Sequence, residues 1–252
     1  SGAVNGQFSF MGGGLSNSIE LNYSVLGGGL GNKVKGLSGA LVGGECNNIS
    51  TAADCSFVGG GCNNVILPIY GVIGGGYNNC ISAGGGSSVL GGCNHLLAAE
   101  GATIVGGIGH NISIAGSYGF IGAGTDNVLT GNHGSILSGE ANDIAGDYST
   151  ILSGEGNCVS NEFASIVGGK FNIAASPYTS IVGGCNNEIC LASAGSMIGA
   201  GCNNTIFSDQ SFIGGGRDNC NAGDHTFIGG GCNNTATGDR SVISGGAYNC
   251  VD

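Results

Sequence analysis

Charge is what this chain has least of. Only 8% of its 252 residues are Asp, Glu, Lys or Arg, about a third of ordinary usage. The five basic residues, Lys33, Lys35, Lys170, Arg217 and Arg240, are scattered and face 16 acidic ones. A phosphate backbone demands clustered cations, so nucleic-acid binding is disfavoured. Proline occurs twice, and the glycines do not fall on every third residue, which removes a collagen helix. Disorder is disfavoured too, because 41% of the residues are hydrophobic. No apolar run approaches the length of a membrane span and no basic-then-apolar leader opens the sequence. The chain therefore reads as soluble, with no membrane insertion.

Glycine is what it has most of, 56 residues in all, about three times normal usage, and the glycines punctuate a repeat. Anchoring each repeat on the small residue ahead of an apolar pair gives sixteen units, from Ser9, Ser24 and Ala40 through to Thr226 and Ser241, spaced 15 to 17 residues apart. The two positions after the anchor are apolar throughout (Phe10 and Met11, Val25 and Leu26, Leu41 and Val42, on to Val242 and Ile243). Two small residues follow, almost always Gly, and then an Asn. A period of 15 or 16 is too short for a helical hairpin and too long for a heptad; it suits one coil of a β-solenoid. The fold expected is all-β: a left-handed parallel β-roll of about sixteen coils, forming one repetitive domain over residues 1–252. Gly supplies the positive-φ bends, and Asn residues stacked on successive coils are expected to form an amide ladder.

The two adjacent apolar columns carry the functional reading. Neighbours on a strand point to opposite faces, so one column faces into the coil and the other faces out. Stacked every ~4.8 Å, the outer column would be an apolar stripe roughly 75 Å long, more than a soluble monomer tolerates. Self-association along this stripe is expected, and a threefold arrangement satisfies it.

Units such as "SIVGGKFN", "SFIGGG" and "SVLGGGLGN" resemble the head repeats of trimeric autotransporter adhesins. They resemble still more closely the "GGG-x-x-N" repeats of phage tail-fibre and virion-fibre proteins. The resemblance spans residues 9–252 and implies a homotrimeric β-roll on a virion, tail fibre or cell surface, engaging a receptor or glycan. It departs from the adhesin heads in its Gly-Gly pairs and its 12 cysteines.

Few residues carry chemistry, and no enzyme is expected. His95 and His110 occupy the Asn column in consecutive units and should stack. "GGGCNN" lacks the Gly-Lys-Ser/Thr ending of a phosphate loop. Asp209, Asp224 and Asp239 should form a column of carboxylates; a solvated acidic edge is the plain reading and a Ca²⁺ site the sharper one. Cys46 with Cys62, and Cys185 with Cys202, are the disulfide candidates, while Cys80, Cys220 and Cys250 take Ile or Val positions and are expected to be buried. Asn-x-Ser/Thr sequons stand at Asn22, Asn48, Asn111, Asn203 and Asn233. No cofactor is implied. The expected function is a structural or adhesive fibre segment. A self-assembling extracellular filament is the alternative, and an ice-binding solenoid is disfavoured by sparse, irregular Thr.

Overall fold

Every strand is two residues long, and the computed structural model, which describes residues 2–252, contains 33 of them and no helix among those residues. They alternate between two faces of a parallel β-solenoid of about 17 coils. The chain divides into two compact units, Ser1–Asp126 and Asn127–Asp252, each a solenoid in its own right.

One coil of the C-terminal unit shows the plan. Cys158–Val159 is the strand of the first sheet, residues 160–164 turn a corner, and Ser165–Ile166 is the strand of the second sheet. Gly169 bends the chain, Lys170 bridges to the coils on either side, and Phe171 with Asn172 turns it back to Ile173–Ala174. Each strand pairs in parallel with its counterpart one coil on, for instance Val159 with Ala174 and Ile166 with Ile181. In both sheets the second residue of each strand points inward, and Ile19, Leu26, Ile112, Ile121, Ile166 and Ile228 are all fully buried.

The rest of the interior is polar but small. A Ser commonly precedes the second-sheet strand; the single hydroxyl proton of Ser24 is within reach of the carbonyls of Asn22 and Gly36, at 3.2 and 3.0 Å from Oγ. Little bulk is tolerated there: a Cβ on Gly39 would lie 2.8 Å from Val34 Cγ1. The bend glycine is more constrained. At Gly29, with φ +97, a Cβ would strike the Gly44 carbonyl of the next coil and crowd Asn32 Nδ2, so only Gly fits.

The strand register corrects the repeat alignment. Val25 pairs with Ala40, and Ala40 with Phe57, so Ala40 is an outward strand residue rather than the residue before the strand. The same one-residue offset holds at Ser88, Thr103, Ser135, Thr150, Ser165 and Ser180. In these seven units the first apolar residue is buried and the second lies beyond the strand; in the other nine the first faces out and the second in. The two columns read from sequence therefore interleave, and neither is wholly inside or wholly outside. The same offset overturns the expected burial of three cysteines. Cys80 and Cys220 are half-buried and Cys250 exposed, all on the outer face of the first sheet, while Ile81, Asn221 and Val251 point in.

Candidate functional site

Asn lines one inner corner of the coils. Asn157 is typical: the two protons of its Nδ2 are shared among Ser153 O, Gly169 O and Asn142 Oδ1 at 3.3, 3.0 and 3.1 Å. Its Oδ1 accepts from the backbone N–H and Nδ2 of Asn172 at 3.0 and 3.1 Å. An amide carries donor and acceptor in one group, so a copy translated by one coil meets its neighbour correctly. In the N-terminal unit two imidazoles continue the column. His95 and His110 are buried and stacked, ring centroids 5.0 Å apart. His95 accepts the His110 N–H on Nδ1 at 3.1 Å, replacing the amide oxygen, and its own N–H reaches Asn79 Oδ1 at 3.1 Å. Burial first, then the neighbouring His110, lowers the His95 pKa to about 4, against the opposing pull of the Gly107 carbonyl. Burial also lowers His110, partly offset by Asp126 and the Gly106 carbonyl.

The corner ahead of the second sheet holds side chains that the sequence did not single out. Tyr23, Tyr148, Phe163 and Tyr178 all have φ between 52 and 58°, a left-handed conformation that costs non-Gly residues about 1–2 kcal/mol. Their backbone N–H groups bond to the coil before, as Tyr148 does to Asn132 O at 2.8 Å. Their exposed rings stack: His133 on Tyr148, Tyr148 on Phe163 and Phe163 on Tyr178, at 4.7, 5.2 and 5.2 Å. The sequence signal is an aromatic or Gly two residues ahead of most second-sheet strands, with Ser38, Cys55, Gln210 and Arg240 as exceptions that adopt the same left-handed φ.

The Asp column aligns at this same corner, as a set of caps. Asp209, Asp224 and Asp239 accept the backbone N–H of Ala194, Asp209 and Asp224 at 2.6, 3.1 and 3.0 Å. Among the described residues no group of three or more His, Cys, Asp or Glu is gathered to hold a metal. Melting curves with Ca²⁺ and with EDTA are expected to superimpose, since each carboxylate already serves its turn; a rise of several degrees in Ca²⁺ would show a site.

Cys185 and Cys202 are disulfide-bonded, with Cα atoms 4.7 Å apart in the bridging column. Cys46 and Cys62 are free, because Glu45 rather than Cys46 pairs with Cys62; Cys46 lies on the left-handed corner that follows. Of the sequon residues, Asn203 is exposed and donates to Asp218 at 3.0 Å. Asn22, Asn48, Asn111 and Asn233 are half-buried, with Asn22 Oδ1 accepting the Gln7 N–H at 2.7 Å.

In both units the outer face of the second sheet is uniform in chemistry. On this face each coil presents two positions, the outward strand residue and the residue two further on, and none of these positions in either unit is charged. Phe10, Val42, Leu90, Leu137 and Val242 are 61, 59, 52, 46 and 62% exposed, and Thr stands on this face only at Thr103 and Thr150. The first sheet, by contrast, turns Lys33, Asp143 and Glu188 outward. Two open depressions lie elsewhere, one of about 270 Å³ beside Asp147 and Glu162 and one of about 550 Å³ beside Leu96 and Ile114. No helix among the described residues is long and apolar enough to cross a membrane. No protein-family model matches the chain, and no curated protein matches it.

Proposed function

We propose that this chain is a structural segment of a fibre, which self-associates as a homotrimer and contributes attachment surface rather than catalysis. The observation that carries the reading is the uncharged, apolar outer face of the second sheet. Aliphatic and aromatic side chains recur on it at every coil, a density that soluble monomers do not leave in water. Burying about 25 cal/mol for each Å² of that surface favours association. Near-identical coils suit a stiff spacer, because every repeat makes the same contacts with its neighbours. By the resemblance of its repeats, such a rod belongs on a virion, a tail fibre or a cell surface, with a receptor or surface glycan as its target.

The test is the mass in solution. Light scattering is expected to give three times the 24.4 kDa chain mass, and Val167→Asp with Phe212→Asp is expected to lower it to the monomer while far-UV circular dichroism stays that of β-structure. A wild-type chain that remains monomeric at micromolar concentration defeats the proposal. Indefinite filaments in the electron microscope would favour the filament reading instead.

A further inference from the structure

The outer face of the second sheet carries a size rule. Call the outward strand position the first track and the position two residues later the second. Where the first track holds Phe57, the second holds Gly59; where the first holds Ser165, the second holds Val167. In every coil one track is bulky and the other is Gly, Ala, Ser or Thr. The backbone enforces part of this. A Cβ on Gly59 would strike the Gly74 carbonyl of the next coil, and one on Gly214 the Gly229 carbonyl, so those coils have no room for bulk in the second track.

We propose that this face is covered by another copy of the same chain, parallel and in register, with the first track of one copy against the second track of its neighbour. The inference rests on the self-association proposed above and adds its geometry. Coil for coil, a bulky residue then meets a small one from either side, whichever track holds the bulk. A rotation axis along the solenoid brings unlike tracks together in this way, and a ring of two or three copies closes it. The face has no charge for a charged partner to complement, so an apolar copy of itself suits it. Strips ~4.8 Å by ~10 Å, one per coil, amount to roughly 400 Å² for the eight coils of either unit, so the two units together offer roughly the area of a standard interface.

Exchanging the bulk within one coil tests the pairing. Ser165→Phe fills both tracks, Val167→Gly empties both, and the double variant moves the bulk from the second track to the first. By sedimentation, each single variant is expected to dissociate at about tenfold higher concentration than wild type. The double variant should return to within about threefold, because every copy carries the same exchange. Thr150→Phe with Leu152→Gly repeats the test at the neighbouring coil, and thermal melting of each variant checks its fold. A monomeric wild type would sink both this pairing and the self-association reading. A wild type that associates while the double variant stays as weak as the singles would sink the pairing alone, as an antiparallel arrangement requires. Single variants that associate like wild type would show that another face is the interface.

Discussion

Asn157→Ala is expected to cost about 1–3 kcal/mol in urea denaturation, although it deletes a side chain that touches no ligand. The truncation removes an acceptor and a donor together. The backbone N–H of Asn172 loses its partner at 3.0 Å and the Ser153 carbonyl loses the Nδ2 donor at 3.3 Å, while the Gly169 carbonyl keeps the Glu155 N–H at 3.0 Å. Asn157 and Asn172 are both fully buried, so water does not replace the acceptor of the Asn172 N–H, and an orphaned buried group costs about 1–3 kcal/mol. Ser153 and Gly169 are exposed, so their carbonyls stay hydrated. Asn157→Asp is expected to be no better, because a carboxylate would face those two carbonyls with no proton to offer. The control is Asn63→Ala. Asn63 also bonds to an Asn one coil on, Asn78 Oδ1 at 2.8 Å, but on the exposed corner, and its loss should cost about 0.5 kcal/mol. Equal losses at Asn157 and Asn63 would mean that the buried ladder contributes nothing special.

Acid is expected to weaken the protein through its two imidazoles. The folded state holds His95 at a pKa of about 4, below the ordinary 6.5, because burial first and the neighbouring His110 second disfavour the charged ring, whose Nδ1 accepts the His110 backbone N–H. The unfolded chain therefore takes up protons that the folded chain refuses. The stabilisation is complete above pH 6.5 and is lost as pH falls toward 4, where the folded His95 protonates as well. His95 alone accounts for about 3 kcal/mol over that window, and His110, shifted in the same direction, adds to it. Replacing both with Asn restores the amide column and should flatten the profile. The comparison to make is the difference in unfolding free energy between pH 7 and pH 4.5, for wild type and for His95→Asn/His110→Asn. If the two proteins lose the same amount, the carboxylates and not the imidazoles carry the acid sensitivity.

The solenoid was legible because its rules are written in columns. The Gly bends, the Asn ladder and the stacking of His95 on His110 follow from a period of 15 to 17 residues and the turn chemistry of Gly and Asn. Register to a single residue was not legible. Ser24-Val25-Leu26 and Ala40-Leu41-Val42 look alike as a small residue followed by two apolar ones, yet Leu26 and Leu41 are the pair that face inward together. Hydrophobicity marks both neighbours in each unit; only the ladder decides which one lies inside. The same ambiguity put Cys220 in the core, where Asn221 actually sits, fully buried with its Oδ1 accepting from Thr226 Oγ1. The left-handed aromatics were missed for a different reason. Propensity assigns positive φ to Gly and Asn, whereas at Tyr148 and Phe163 ring stacking and a backbone bond to the coil before offset the conformational cost.

The order in which the two tracks trade their bulk has a consequence for alignment. A stripe of identical rungs could slide by one rung and still fit, as two equal combs do. In the N-terminal unit the bulk changes track four times, between Val25 and Val42, Val42 and Phe57, Val72 and Leu90, and Val105 and Phe120; in the C-terminal unit it changes once, between Val182 and Met197. At each change a strand displaced by one rung would set large against large on one side and leave a void on the other. On the proposed pairing, the N-terminal unit would act as a vernier that penalises slippage, and the more uniform C-terminal unit, which holds the disulfide between Cys185 and Cys202, would have little say over alignment.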